Sequence, residues 1–196
     1  MIKGSNDRIR RFARDESGLI MTEFLILLPL LLWTFVALVV WWDAWRTINE
    51  GQKASYAIAD LVSRQSEVSM NYINGMETVM EGLLGQPSIV SMRITSVQWH
   101  EVQGNANGRY SIIFSRSANS RQPRLTSSDV NALSDLIPVM NPGDSTVILE
   151  TWISYTPPVD VGLPKTVFRN FIVTKPRFYR RVCLTETPAT CPAELS

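Results

Sequence analysis

A run of nineteen residues without a charged side chain, Phe24 to Trp42, constrains the fold of this chain most strongly. As a helix rising about 1.5 Å per residue it would be roughly 28 Å long, which is close to the ~30 Å thickness of the bilayer hydrocarbon core. Few soluble helices are apolar on every face. The run therefore predicts a membrane-spanning helix, with a buried core helix as the alternative. The tryptophans at its end, Trp41, Trp42 and Trp45, are typical of a membrane interface.

The charges that flank this run predict its orientation. Asp43 and Arg46 follow it, whereas five basic residues precede it: Lys3, Arg8, Arg10, Arg11 and Arg14. This asymmetry predicts a cytoplasmic N-terminus and an exported C-terminal part. A cleavable secretory signal would have a shorter apolar core and a small-x-small site after it, whereas this run is long and ends in Trp-Trp-Asp-Ala-Trp. We therefore expect the helix to remain in the mature protein.

The hydrophobic pattern changes its period along the exported part. Apolar residues that lie three or four positions apart continue from Ala54 to Leu84. This pattern predicts helix up to Gly85. From Ser88 the period is two, which predicts strands, with a change of phase before Val97 that indicates a β-bulge. The remaining predicted elements are a hairpin loop at 104–108, a return strand at 110–114, a short helix from Ser127 or Ser128 to Pro138, and strands at 147–155 and 166–174. The fold class predicted is α+β, a long N-terminal transmembrane and stalk helix with a small antiparallel β-sheet domain.

Residues that could support catalysis are few. His100 is the sole histidine, and it lies in a predicted strand beside Trp99. Two cysteines and one distant histidine fall short of the four ligands of a structural zinc site, and no glycine-rich phosphate-binding loop is present. Net charge is +1 and indicates no partner. We expect neither enzymatic activity nor a metal, a cofactor or a nucleic-acid partner.

Two features near the C-terminus have open interpretations. Cys183 and Cys191 lie in the part predicted to be exported, where disulfides persist, so they are predicted to form a disulfide, with two free thiols as the alternative. The segment Lys165 to Arg181 holds six basic residues and no acidic one. It is predicted to be an edge strand whose charges oppose aggregation, and an anionic partner such as lipid head groups or an acidic subunit is the alternative.

Glu23 is unexpected at the start of a spanning helix, because ionisable residues at membrane depth are costly and commonly functional. The basic leader, Gly18, four further residues, Glu23 and the long apolar helix together resemble the processing signal of type IV prepilins. In that family a membrane-embedded prepilin peptidase cuts after the glycine. The resemblance implies cleavage between Gly18 and Leu19.

Further stretches are similar to TadE-like proteins: GLIMTEFLILLPLLL (18–32), ADLVSRQ (59–65), GDSTVILETWISYTPPV (143–159) and FIVTKPRFYRRVC (171–183). Major Flp pilins usually have tyrosine where Phe24 follows Glu23, and they are much shorter than this chain. The resemblance therefore indicates a TadE- or TadF-like minor pseudopilin of the tight-adherence (Tad/Flp) pilus, a variant of the type IV pilus.

This resemblance implies a pilin-like architecture with four segments. They are a cleaved cytoplasmic leader (1–18), a transmembrane helix (19–43), a periplasmic helical stalk (44–86) and a periplasmic α+β domain (87–196). The implied location is the bacterial inner membrane, crossed once, with incorporation into an extracellular pilus as a further expectation. The implied partners are the prepilin peptidase, other Tad pilins and pseudopilins, the inner-membrane pilus assembly platform and the lipid bilayer.

The implied role is assembly of a pilus for surface adhesion. Glu23 is expected to pair with the new α-amine of Leu19 on a neighbouring subunit. The alternative is an uncleaved single-pass protein that serves as an anchored periplasmic interaction or sensor module.

Overall fold

The computed structural model describes residues 12, 17–85, 90–102 and 105–186. The described helices are α1 (Ser17–Ser63), α2 (Met70–Leu83) and α3 (Ser127–Ala132), with 3₁₀ turns at Ala118–Ser120 and Ser134–Leu136. The described strands are β1 (Glu67–Val68), β2 (Val90–Val102), β3 (Asn105–Ser117), β4 (Ser145–Tyr155), β5 (Thr166–Thr174) and β6 (Cys183–Leu184). The prediction of an α+β chain with a long apolar N-terminal helix and a small antiparallel sheet is confirmed.

The helical pattern predicted up to Gly85 consists of two helices. Helix α1 ends at Ser63, and β1 intervenes before α2. Ser69 starts α2 as its N-cap, because its side chain accepts a hydrogen bond from the Tyr72 N–H group. Gly85 follows the end of α2 with a φ of +66°, a conformation that favours glycine, so the predicted stop is confirmed.

Four antiparallel strands form the main sheet in the order β3-β2-β4-β5. The register between β2 and β3 shifts between Ser96 and Val97, which confirms the predicted bulge. The predicted hairpin loop at 104–108 is too long, because Asn105 already pairs with Val102 and β3 begins there. Within β3, Gly108 has a φ of +58° and passes so close to the Trp99 indole that a Cβ atom would lie 2.3 Å from the ring.

Both faces of the sheet are covered. Alternate side chains of a strand point to opposite faces, so Val147 and Leu149 pack on the side of α1 and α2, whereas Ile148 packs with Val130 of α3. A second, two-stranded sheet pairs β1 with β6 in parallel. It places the segment after α1 beside the segment after β5.

The chain divides into two compact units. One contains Ala44–Thr156 and Pro164–Ser196, and it holds the main sheet, α2 and the C-terminal part of α1. The other contains the described residues up to Asp43 together with Pro157–Leu163. The segment predicted as a stalk (44–86) thus belongs to the same unit as the segment predicted as an α+β domain (87–196), except for Pro157–Leu163.

Candidate functional site

The N-terminal part of α1 exposes apolar side chains on all sides. Leu32, Trp33 and Leu38 are examples, each more than half exposed. An eighteen-residue window of this helix has a mean hydropathy of 2.6, and only 11% of the window is buried. In the described part of the chain this is the one helix that is long and apolar enough to cross a membrane. Its exposure excludes the alternative of a buried core helix and is consistent with single-pass anchoring.

The predicted processing site lies in the first turn of α1. The helix begins at Ser17, so the backbone of Gly18 and Leu19 is helical. The first four N–H groups of a helix have no acceptor within that helix. The leader before residue 17, apart from Phe12, lies outside the described residues.

Glu23 is exposed, within the second turn of α1. Among the described residues none forms an ion pair or a hydrogen bond with its side chain. No interaction within the described chain therefore accounts for a carboxylate at the edge of this apolar surface.

A close approach between backbone and side chains joins α1 to the main sheet. Gly51 lies against Ile153, where an added Cβ atom would be 2.3 Å from the Ile153 Cδ1 atom. Ser55 donates a hydrogen bond to the Gly51 carbonyl oxygen at 2.7 Å, and its hydroxyl lies 2.9 Å from the Thr151 hydroxyl. Asn170 Nδ2 donates to Thr151 Oγ1 at 3.2 Å. This contact holds β4 and β5 against the C-terminal half of α1.

A buried ion cluster lies on the opposite face of the sheet. Glu150 is fully buried between Arg93 and Arg169, and each guanidinium donates to one of its carboxylate oxygens. The Trp152 ring lies between the same two arginines, with its centroid 5.2 and 5.3 Å from their Cζ atoms. Arg93 Nη1 also donates to the Pro123 carbonyl oxygen at 2.6 Å. Both carboxylate oxygens of Glu150 are thus bound by guanidinium groups on the neighbouring strands.

Sequence reasoning missed this cluster. An acidic residue in the middle of an apolar strand was the available signal, but its partners depend on strand register. Arg93 on β2 is directly opposite Glu150, and Arg169 on β5 is directly opposite Trp152.

A second buried carboxyl group, Glu77, lies on α2. Its Oε1 atom accepts a hydrogen bond from Asn119 Nδ2 at 3.2 Å and lies 3.4 Å from Arg121 Nη1, while Oε2 has no hydrogen-bond partner among the described residues. Burial raises the pKa of Glu77, and the hydrogen bond from Asn119 and the charge of Arg121 partly oppose this. Asn119 reaches Glu77 from a strained turn with a φ of +50°.

The described residues show no arrangement typical of catalysis or of a metal site. No group of three His, Cys, Asp or Glu side chains in the described ranges is placed to hold a metal ion. His100 lies on β2 as predicted, exposed, with Nε2 2.8 Å from the Ser111 hydroxyl. Two shallow grooves of about 250 and 420 Å³ are lined by other residues, with Lys175 and Asp144 in the first and Arg116 and Arg124 in the second.

The basic segment Lys165–Arg181 includes β5, which is an edge strand as predicted. Three of its six basic residues pair within the chain. Arg169 binds Glu150, Lys175 Nζ lies 2.8 Å from Asp144 Oδ2, and Arg177 Nη2 lies 2.7 Å from Asp60 Oδ1. These ion pairs explain half of the positive charge without an external partner.

Cys183 is buried in β6, beside β1. Cys191 lies outside the described residues, so the disulfide between them stays a prediction. Thiol labelling of the unreduced protein would test it.

The most distinctive feature of the described chain is thus an exposed apolar helix with one carboxylate near its start that has no partner among the described residues. The C-terminal half of the same helix packs on a four-stranded sheet. Comparisons of the chain with family models, with curated proteins and with solved structures find no match.

Proposed function

We propose that this chain is a TadE- or TadF-like minor pseudopilin, with a pilin-like architecture, that takes part in assembling a Tad/Flp-type pilus for surface adhesion. One observation carries the proposal. The exposed apolar part of α1, residues 18–42, holds a single carboxylate, Glu23, which lies five residues after Gly18 and has no partner among the described residues.

Processing by a prepilin peptidase is the first step of this proposal. Glycine in a helix costs about 1 kcal/mol relative to alanine, and the first turn has unsatisfied N–H groups, so the chain around Gly18 can unwind at low cost. Cleavage removes residues 1–18, which hold five of the 19 basic and three of the 18 acidic residues. The mature chain then has 14 basic and 15 acidic residues and a net charge of −1.

Pairing of Glu23 is the second step. Cleavage frees the α-amine of Leu19, which is mostly protonated near neutral pH. Burying either charge alone is costly, whereas a well-placed pair recovers much of that cost. Glu23 of one subunit would bind the amine of its neighbour and set the register of packed helices. The helix dipole contributes only a few tenths of a kcal/mol at this position, too little to explain the residue.

This proposal places the protein in the bacterial inner membrane. The N-terminus is cytoplasmic, the sheet-containing unit is periplasmic, and the chain passes into the pilus after processing. Its partners are the prepilin peptidase, other Tad pilins and pseudopilins, the assembly platform and the lipid bilayer.

Intact-mass analysis of membrane-extracted protein tests the processing step. We expect a chain that begins at Leu19 in cells with a working prepilin peptidase, and a chain that begins at Met1 for Gly18→Val, because the added side chain blocks close approach of the peptidase. An unprocessed wild-type chain would refute the proposal and favour the uncleaved anchored interaction or sensor module.

Glu23→Gln tests the pairing step, since it keeps the shape and removes the charge. We expect the variant to be inserted and cleaved but to lose crosslinks to other pilins and to fail to restore piliation. Glu50→Gln is the matched control on the same helix, because Glu50 forms only an exposed pair with Arg46. Normal pili and crosslinks with Glu23→Gln would show that Glu23 serves only peptidase recognition.

A further inference from the structure

The connection between β4 and β5 contains a segment that we call the PPV loop, Pro157–Leu163. It does not belong to the unit that contains those two strands. It forms one compact unit with the described residues up to Asp43, and these include the apolar part of α1.

The PPV loop has a defined turn and an apolar surface. Asp160 Oδ1 accepts a hydrogen bond from the Gly162 N–H group at 3.1 Å, and Gly162 has a φ of +90° that suits glycine. Pro158 and Val159 are exposed at the start of this turn, with Val159 at 49%. Val161 and Leu163 are half-buried.

Burial of Val40 indicates where the PPV loop lies on α1. Val40 is only 2% exposed, although Leu38, Val39 and Trp41 around it are each more than half exposed. An isolated helix does not bury one of its own side chains in this way, so another segment covers Val40. The PPV loop is the described segment of this unit that lies outside α1, besides the highly exposed Phe12, so we assign to it a share of this cover.

The position of Val40 along α1 determines the depth in the bilayer of a segment that packs on this residue. Val40 directly precedes Trp41 and Trp42, and both indoles are exposed. Such tryptophans concentrate at the level of the lipid head groups. A loop against Val40 therefore lies at the end of the span, where the hydrocarbon core gives way to the head-group layer.

We propose that the PPV loop is a second membrane contact, whose Pro158–Val159 tip enters the interfacial layer of the bilayer that α1 spans. The inference rests on the membrane anchoring in the proposed function and not on pilus assembly. Interfacial anchors help to set the tilt and rotation of a spanning helix, so this contact would orient α1 before it meets other helices. Asp160 is compatible with this layer, because its carboxylate is exposed and already bound to the backbone of the turn.

Photo-crosslinking to lipid tests the proposal. The full chain would carry p-benzoylphenylalanine in place of Val159, in nanodiscs of phosphatidylethanolamine and phosphatidylglycerol, and lipid adducts would be counted by intact mass. Leu32, in the middle of the span, is the positive control. Val139, fully exposed in the sheet-containing unit, is the control for non-specific labelling.

We expect lipid adducts from positions 32 and 159 and only background from position 139. Adducts at position 32, with position 159 no higher than position 139, would overturn the inference and leave the membrane anchor intact. Absence of adducts at position 32 would refute the anchor and the inference together. A probe at Pro158 repeats the measurement if the probe at position 159 disturbs folding by circular dichroism.

Discussion

Glu77 shows how one buried carboxyl group makes folding stability depend on pH. The residue is 2% exposed, and in the described part of the chain one of its two carboxyl oxygens has no hydrogen-bond partner. Burial raises its pKa above the ordinary value of 4.5, mainly because the charged form loses water. The folded chain therefore binds this proton more tightly than the unfolded chain does.

The direction of the pH effect follows from linkage. When folding raises the pKa of a carboxyl group, the protonated group contributes to the stability of the folded state. This contribution is complete at a pH below the pKa in the unfolded chain, and it is lost as the pH rises through the pKa in the folded chain. Glu77→Gln keeps the shape of the side chain but does not titrate. We expect the stability of the variant relative to wild type to increase as the pH rises above 4.5. Urea denaturation of the full chain in detergent at several pH values measures this difference.

Glu101→Gln is the matched control for Glu77→Gln, because Glu101 is exposed at the end of β2. The difference in stability between Glu101→Gln and wild type should be the same at each pH value of the denaturation series. A constant difference between Glu77→Gln and wild type at all pH values would contradict the assigned effect of burial.

At the scale of elements, the contact between α1 and the sheet depends on a residue without a side chain. The Ile153 Cδ1 atom occupies the space where a Cβ atom of residue 51 would lie, and Ile153 itself is fully buried. Core overpacking typically costs about 1–3 kcal/mol, while alanine in place of glycine regains up to about 1 kcal/mol of helix propensity. Gly51→Ala should therefore destabilise the chain despite its better helix propensity.

A double-mutant cycle tests this contact, because Ile153→Val deletes the clashing Cδ1 atom. Ile→Val in a core costs about 0.5–1.5 kcal/mol alone. We expect the double variant to be more stable than the sum of the two single effects predicts, as measured by urea denaturation. Additive effects would show that the two residues do not compete for the same space.

Gly75→Ala on α2 is the control for this cycle. Nothing lies within 4 Å of a Cβ atom at that position, so this substitution should stabilise the chain by up to about 1 kcal/mol. Destabilisation there would indicate that the α2 surface is covered in the folded protein.

At the scale of the whole molecule, the proposed orientation in the membrane rests on charges outside the helix. Five basic residues precede the apolar run, and the cytoplasmic flanks of spanning helices carry the excess of lysine and arginine. A reporter that is active only outside the cytoplasm, fused after Ser196, should be active with the wild-type chain. Replacement of the five leader residues by glutamine (Lys3, Arg8, Arg10, Arg11 and Arg14) should reduce this activity, because the bias in charge is lost.

A matched variant separates charge from sequence in this experiment. Lysine at the four arginine positions keeps the charge, so its reporter activity should equal that of wild type. A wild-type fusion that is active only in the cytoplasm would contradict the orientation.

Several features were determined by the sequence itself, since they depend on neighbouring residues. The long apolar run predicted α1, and its lack of charge predicted the exposed surface that the structure shows. The strand at 166–174 was predicted with its observed bounds, and a change of phase in the alternation of apolar residues predicted the bulge before Val97. Composition and period are local properties, and they are sufficient for such elements.

Tertiary structure alone decided which distant residues meet. The interruption after Ser63 depends on β1, whose partner β6 lies more than a hundred residues away. The partners of Glu150 follow from strand register, those of Glu77 from a turn against α2, and the position of the PPV loop from its packing with the first part of α1. Each of these contacts joins segments that are remote in the chain. Their energies depend on register and burial, which no local pattern of residues specifies.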